Sequence, residues 1–387
     1  MDFELSKEIK QLQQRAREFV EKEVMPHEKG WPLFIDDAPH EVVLSLRSKC
    51  READLVNIDV PKEYGGLGMS CLAHTVAAEE FNKTAIPLFH HWITGGYPPH
   101  PAFYEATDYQ KEKYLKPLIR GEKFWCFGFT EPEVSGSNVR EIQTTAHRQG
   151  DTYILNGRKI FATFADVADF VLYAAYTDKK KDLHGISTFL VDKGTPGVQV
   201  EKKFLCFDWT HQPVLNLVNC LVPAANLLGE EGEGFYQGMK LFNRMRIQMA
   251  VETLGKSERC FDLAVKHAKQ RKAFGKRIGE FQAIQWMLAD SKIDIETIRW
   301  LTYYAAWKAD QGGDFRSESA MAKVHGVEAA LRVIDRTMQV LGGMGLSVDF
   351  PFFRFLGEVR RTKSAEGTLE IMRLLIARSI LGRDIAQ

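Results

Sequence analysis

Between Leu5 and Val24 the apolar residues Leu5, Ile9, Leu12, Ala16, Phe19 and Val20 return at steps of three and four, the period of one face of an α-helix. The same period predicts helices in EVVLSLRSKCREA, SCLAHTVAAEEFNK and DYQKEKYLKPLIRG, separated by the breakers PKEYGGLG and GGYPPHPAF. After Phe124 the texture changes. TYILNGRKIFATF, DFVLYAAYT, ISTFLVD, GVQVEKKF and PVLNLVNCLV are short, period-two runs rich in β-branched and aromatic residues, and they predict strands. Within them Asn156-Gly157 predicts a hairpin, because a type I′ turn needs positive φ at both central residues. From Phe235 the helical period resumes in four long pieces: FYQGMKLFNRMRIQMAVETLGKSERCFDLAVKHAKQ, FQAIQWMLADSKIDIETIRWLTYYAAWKAD, SESAMAKVHGVEAALRVIDRTMQVLGG and the segment after Glu366. Long helices with short connections predict an antiparallel bundle. The fold class is mainly α with a middle β domain: an all-α domain over 1–125, a β domain over 126–234 and a four-helix bundle over 235–387.

Composition narrows the function more than the fold. At 387 residues the chain is too long for a small binding module, and 51 Lys+Arg against 51 Asp+Glu leaves no net charge. No long basic run exists, so neither a nucleic acid nor an anionic membrane is an expected partner. The six cysteines carry no CxxC pair, which argues against structural zinc and fits reduced thiols in a cytosolic setting. The start MDFELSKEIK is charged and amphipathic, and no 18 apolar residues run together. The expectation is a soluble, untargeted, cytoplasmic protein.

Several catalytic signatures are missing. No GxGxxG follows a predicted strand, no GxxxxGK[ST] occurs, and GGMG at 342 to 345 ends a helix instead of opening one. HExxH and GxSxG are also absent, and the histidines form no ligand set, so no metal is expected. Adjacent His90 and His91 suit a loop or a pocket wall.

Five motifs are present in order: FGFTEPEVSGSN (127 to 138), LNGRKIFAT (155 to 163), QRKAFGKRIGEFQAIQWMLAD (270 to 290), MQVLGGMG (338 to 345) and AEGTLEIMR (365 to 373). Together they resemble the acyl-CoA dehydrogenase family, from the first helix to the last. The resemblance implies an N-terminal helical domain, a β-barrel-like middle domain and a C-terminal four-helix bundle, with FAD bound non-covalently in a homotetramer. It implies that Phe127, Phe129 and Thr130 line the flavin, with Thr130 stabilising the negative charge of its reduced ring. Phe161 takes the place of the family's usual Trp against the flavin, keeping the aromatic surface without the indole N–H, and Thr163 meets the N5 edge. Ser137 matches a serine that contacts substrate or flavin, although the loop after Pro132 is one residue longer here and ends in Asn138 where Asp is common.

The resemblance also places Arg271 on the FAD pyrophosphate of a neighbouring subunit, beside Phe274, with Gln339 and the backbone of Gly342 and Gly343 on the adenosine end. A planar, always-charged fork suits a diphosphate held without a P-loop. By itself RKAFG reads as a surface charge and a glycine that ends a helix. Arg246 matches the family's helix arginine near the substrate, against a plain reading as a solvated charge.

Oxidising a thioester at its α and β carbons needs a base. In short- and medium-chain relatives the Glu of EGT removes the α-proton while flavin N5 takes the β-hydride, and that residue is Glu366 here. Some branched-chain relatives use a Glu just before the arginine matching Arg246; here that position is Met245, which takes no proton. Taken alone, EGT reads as a carboxylate against a helix dipole, worth roughly 0.3–1 kcal/mol. Thr368 and Gly367 would meet flavin in the partner site, with Gly367 also beside the substrate. Ala365 replaces the Tyr that many relatives carry before the Glu, opening room beside the base. The segment 88 to 104 is an aromatic, proline-rich wall, and no Lys or Arg lies between Thr84 and Gln110 to hold a distal carboxylate. The expected substrate is an acyl-CoA with a branched, cyclic or aryl-bearing acyl group, and the expected electron acceptor is electron-transferring flavoprotein. Alternatives are an acyl-CoA oxidase, desulfinase or monooxygenase on the same fold, and a non-enzymatic helical scaffold.

Overall fold

A computed structural model describes residues 4–94 and 98–385. Helices open the chain: α1 (Lys7–Phe19), α2 (His40–Glu52), α3 (Cys71–Phe81), α4 (Phe89–Thr94), then α5 (Asp108–Gln110) and α6 (Lys116–Ile119), which a π-helical turn at Lys111–Leu115 joins. The first helix begins where the Ser6 hydroxyl accepts the Ile9 N–H at 3.3 Å, and it buries Leu12, Ala16 and Phe19, the stripe its periodicity predicts. In contrast, α3 is buried all round from Ala73 to Phe81. Its two carboxylates are tolerated there because both are paired: Glu80 with Arg17 and Lys83, Glu79 with Arg299 and the Tyr303 hydroxyl at 2.6 Å. Those bonds fasten the N-terminal helices to the bundle. The predicted wall 88 to 104 includes α4 and a 3₁₀ turn at Pro101–Glu105; its residues 95–97 lie outside the described residues.

The middle region is a seven-stranded sheet of β1 (Trp125–Gly128), β2 (Thr145–Gln149), β3 (Thr152–Ile160), β4 (Phe170–Tyr176), β5 (Ile186–Asp192), β6 (Val198–Leu205) and β7 (His211–Pro223), ordered β1-β4-β2-β3-β7-β6 with β5 also on β4. Because β4 pairs with β1 and β5 along its length and with β2 at its Tyr176 end, the sheet curls into an open half-barrel. The predicted hairpin at Asn156-Gly157 is not there. Both residues lie inside β3, at a register shift against β7, and β2 turns into β3 at Gly150-Asp151 instead. Packing explains the glycine: a Cβ at Gly157 would stand 2.3 Å from the Thr144 hydroxyl oxygen. Asn156 accepts the Asn219 amide at 2.8 Å, so the pair builds a bulge rather than a turn.

The C-terminal region contains α7 (Gly234–Gln270), the short strands β8 (Lys272–Ala273) and β9 (Lys276–Arg277), α8 (Gln282–Asp310), α9 (Arg316–Leu341), α10 (Phe352–Arg361) and α11 (Leu369–Leu381). The helices α7, α8 and α9 pack together and α11 lies along α9, the four predicted pieces; α10 is an addition that their periodicity did not announce. One core cluster joins Phe103 and Tyr114 of the N-terminal part, Trp125, Phe127 and Phe170 of the sheet, and Leu241 and Met245 of α7, with Ala365 packed at its edge. That three-way junction positions the site. No described helix is long and apolar enough to cross a membrane.

Candidate active site

The segment before α11 shows whether Glu366 is a first-turn helix carboxylate. The helix starts at Leu369, where the Thr368 hydroxyl caps it by accepting the Ile371 amide at 3.3 Å. Glu366 therefore precedes the N-cap, in a turn, and is not a first-turn carboxylate against the helix dipole. Its φ of +55° is left-handed, as is that of Gly367 at +95°. For a non-glycine residue such backbone costs about 1–3 kcal/mol and persists only where surroundings over-determine it.

Two buried cations supply that determination. Arg246, 4% exposed, donates from Nε to the Glu366 carbonyl at 3.3 Å and from Nη1 to Asn243 at 2.6 Å, so it is an interior residue, not a solvated helix charge. Lys323 of α9 donates to the Ala365 carbonyl and, at 2.5 Å, to the Gly367 carbonyl. The Glu366 carboxylate accepts no hydrogen bond among the described residues. Burial raises its pKa above the usual carboxylate range, while Lys323, Arg246 and Arg361 pull the other way. Burial likewise pushes Arg246 down to about 10. Arg361 is held by Glu252 at 2.9 Å and Asp208 at 3.0 Å, which ties α10 and the β6–β7 turn to α7 beside the same carboxylate.

A second group forms at the edge of the sheet. The Ile160 amide donates to the Thr130 carbonyl at 2.9 Å, which sets Thr130 beside Phe161. An ion pair missed by sequence reading locks this junction: fully buried Lys159 donates to Glu131 at 2.8 Å and to the Phe129 carbonyl at 3.1 Å. Glu131 also accepts the Gln143 amide at 2.6 Å and the amide and hydroxyl of Thr144. Burial alone would raise the Glu131 carboxyl, but these partners hold it below the usual range. The signal was available, since alternation from Tyr153 through Leu155 puts Lys159 on the inward face. Phe161, in contrast, is 56% exposed on left-handed backbone with φ +57°, its ring edge-on to Phe204. The Thr163 hydroxyl exchanges hydrogen bonds with Gln212, whereas the Thr130 hydroxyl has no partner among the described residues. Gly136 folds back over Thr130, and Ser137 is exposed, its amide held by the Ser135 hydroxyl.

The two groups share one face of α7. Phe127 and Phe129, stacked 5.6 Å apart, pack on Phe242, and Arg246 follows one turn later. Close by, α4 sets partly buried His90 and His91 around a small cavity shared with Gln248, Met249 and Glu252 of α7, in keeping with a pocket wall.

A third set stands apart. Arg271 is the exposed C-cap of α7, and Phe274, with φ +52°, and Gly275, with φ +80°, form the turn between β8 and β9. The glycine of RKAFG therefore makes a β-turn and does not end the helix; a pair of positive-φ residues is what a two-residue hairpin requires. Phe274 is 96% exposed. Gln339, Gly342 and Gly343 are exposed at the C-terminal end of α9, and a Cβ on either glycine would meet nothing within 4 Å.

Sequence models of the acyl-CoA dehydrogenase N-terminal, middle and C-terminal domains match residues 6–122, 126–206 and 232–381. The chain is 35% identical to the short-chain specific acyl-CoA dehydrogenase of Clostridium acetobutylicum, over 98% of this chain and 100% of that one. It is 36% identical to the 3-(aryl)acrylate reductase of Clostridium sporogenes, over 96% and 97%. Among solved structures, the butyryl-CoA dehydrogenase of Megasphaera elsdenii superposes with a TM-score of 0.89 at 33% identity, covering 98% of this chain and 100% of that one.

Proposed function

The chain belongs to the acyl-CoA dehydrogenase family of FAD-dependent oxidoreductases, and from that premise we propose that it dehydrogenates an acyl-CoA thioester between Cα and Cβ with Glu366 as the base. The observation that carries this reading is a half-buried carboxylate with no hydrogen bond of its own, on a strained turn whose three successive carbonyls are held by Lys323 and Arg246. Such a group is raised towards the range where a general base works at neutral pH. The position just before Arg246 is Met245, which has no proton-accepting group.

The chain's residues fit the family's cofactor. An aromatic ring left half exposed on left-handed backbone, beside a threonine hydroxyl without an internal partner, makes sense as a platform for a planar ring: Phe161 and Thr130 would hold the flavin, with Thr163 at its edge and Phe127 and Phe129 backing it from the core. When bound, FAD supplies the acceptor for the two electrons that leave Cβ as hydride. Arg271, Phe274, Gln339, Gly342, Gly343 and Thr368 would serve the cofactor of a neighbouring subunit, so we assign the working form as an oligomer, by family resemblance a homotetramer. Electron-transferring flavoprotein is the assigned acceptor on the same resemblance. Arg246, Gly367 and Ser137 would border the thioester.

Ala365, packed at the edge of the core beside the base, supports a bulky acyl group, branched, cyclic or aryl-bearing. The likeness to a relative named for arylacrylates favours the aryl case. The test is a panel of straight, branched, cyclic and aryl acyl-CoA thioesters, read by bleaching of the flavin without oxygen. Bulky thioesters are expected to bleach fastest; faster bleaching by a straight medium-chain thioester than by every bulky one overturns the substrate assignment and leaves the base untouched. Hydrogen peroxide formed in step with turnover would replace the flavoprotein acceptor by oxygen.

A further inference from the structure

Lys323 has no role in the reading above beyond its bonds, yet its surroundings are unusual for a lysine. It is fully buried in the middle of α9, where Ala320, Lys323 and Val327 form part of the buried stripe. Lysine is almost never buried completely unless paired. Its ammonium donates to the carbonyls of Ala365 and Gly367, the residues on either side of Glu366, while Arg246 from α7 takes the carbonyl of Glu366 itself. Cations from two helices thus gather three consecutive carbonyls of a turn that no helix or sheet ladder supports. Packing alone would ask for an apolar residue at position 323.

We propose that Lys323 is the positioning residue of the base: by holding the carbonyls on both sides of Glu366 it fixes that residue's left-handed backbone and so the direction in which the carboxylate leaves the chain. The inference rests on Glu366 being the base. A second consequence is electrostatic. The charged groups facing Lys323 are Glu366 from the turn before α11, Arg246 from α7 and Arg361 from α10. Burial brings Lys323 down to about 7, with Glu366 opposing that fall, and in return the ammonium favours the ionised form of the carboxylate. Removing the charge therefore raises Glu366 further, and the pH above which it acts as a base moves to the alkaline side.

The experiment compares the FAD-loaded wild type with K323M, K323Q and E366Q. Flavin reduction by an acyl-CoA thioester is measured without oxygen across pH, and the carboxyl band of Glu366, identified by its loss in E366Q, is titrated by infrared difference spectroscopy without substrate. Both lysine variants are expected to keep KM within a few-fold and to lose roughly 10- to 100-fold in rate, within the range for impaired general-base catalysis. Their acid limb and infrared midpoint should both shift to higher pH, and K323Q should lose less rate than K323M because its amide can still donate to one carbonyl. Wild-type rate and midpoint in either folded variant overturn the inference, as does failure of both variants to fold, which would make Lys323 a residue of the fold alone. Normal turnover by E366Q sinks the base assignment instead, and the two failures are thereby told apart.

Discussion

The two ends of α7 carry predicted site residues under opposite conditions. Near its start, Arg246 is buried and bonded to the turn that carries Glu366, and Lys323 completes the clamp from α9. At its end, Arg271 and Phe274 stand in solvent beside the exposed Gly342 and Gly343. Some 25 residues of continuous helix separate Arg246 from Arg271, roughly 37 Å at about 1.5 Å per residue. At the first end every clamp on the Glu366 turn comes from its own chain. At the second end Phe274 is exposed, as are Leu346 and Val348 after α9, and further exposed apolar side chains, Trp286, Ile293, Trp300 and Trp307, run along α8. Exposed apolar side chains of this size are what interaction surfaces are built from, so exposure in a single chain says little against a residue's having work to do in an assembly.

The largest effect expected is at the closed end. Glu366→Gln should purify with its flavin and lose at least about 10⁴-fold in turnover, the upper end of the range for general acid–base catalysis, because Met245 offers no second base. In the wild type the rate should rise with pH as Glu366 ionises and level off above its pKa, which burial holds above the usual carboxylate range. An acid limb at an ordinary carboxylate value, or normal turnover by the variant, would break the assignment.

At the open end the loss should be smaller and shareable. Arg271→Ala removes a guanidinium assigned to a neighbour's diphosphate; a charge-assisted hydrogen bond contributes about 1.5–3 kcal/mol, so FAD affinity should fall roughly 10- to 100-fold. Co-expressing this variant with Glu366→Gln sharpens the contrast. If Arg271 acts across subunits, mixed oligomers contain sites with both an intact base and an intact arginine, and activity returns. Activity no greater than the sum of the two variants alone would confine Arg271 to its own chain.

Ala365→Tyr tests the space beside the base without touching the base. A ring placed at the edge of the core formed by Met245 and Phe129 should cut kcat/KM for branched or aryl thioesters by about 10- to 100-fold while sparing straight short chains, on the scale of a few methylene-sized clashes. Equal losses for all thioesters would move the acyl group's position away from residue 365.

The comparison also explains what the sequence disclosed. Helices and strands were legible where their apolar pattern is long, as in the Leu12, Ala16, Phe19 face of α1 and the Tyr153, Leu155 face of β3, whereas the short β1 and the mostly exposed β2 were not announced. Asn156-Gly157 misled because glycine answers to space as well as to φ, and Thr144 lies across the sheet from it, 13 residues away in sequence. RKAFG misled differently: Gly275 does take positive φ, but in the turn between β8 and β9 rather than at a helix end. Motif residues were found by their order along the chain. Lys323 and the Lys159–Glu131 pair were not, since a buried lysine is defined by partners that only folding brings near, although each sits in register on a buried face. EGT named Glu366 as the candidate base but not its strain, because nothing in EGT says which residue will be left-handed.

The smallest effect distinguishes the two kinds of contact at a single residue. Thr368 caps α11 through the Ile371 amide, a contact within its own chain, and is also assigned to flavin in a partner site. Capping is worth about 1 kcal/mol, so Thr368→Ala should lower the unfolding free energy from chemical denaturation by that amount, whereas Thr368→Ser should not. The accepting lone pair is used in the cap, and in the single chain the hydroxyl proton meets the solvent-exposed Glu370 carboxylate, a partner it can exchange for an acceptor on the cofactor. If that proton reaches the cofactor, Thr368→Ala should also weaken FAD binding in the oligomer and Thr368→Ser should preserve it. A stability loss with unchanged FAD affinity would make Thr368 a cap only, and would shift the boundary between the self-sufficient and the shared ends to the far side of α11's first turn.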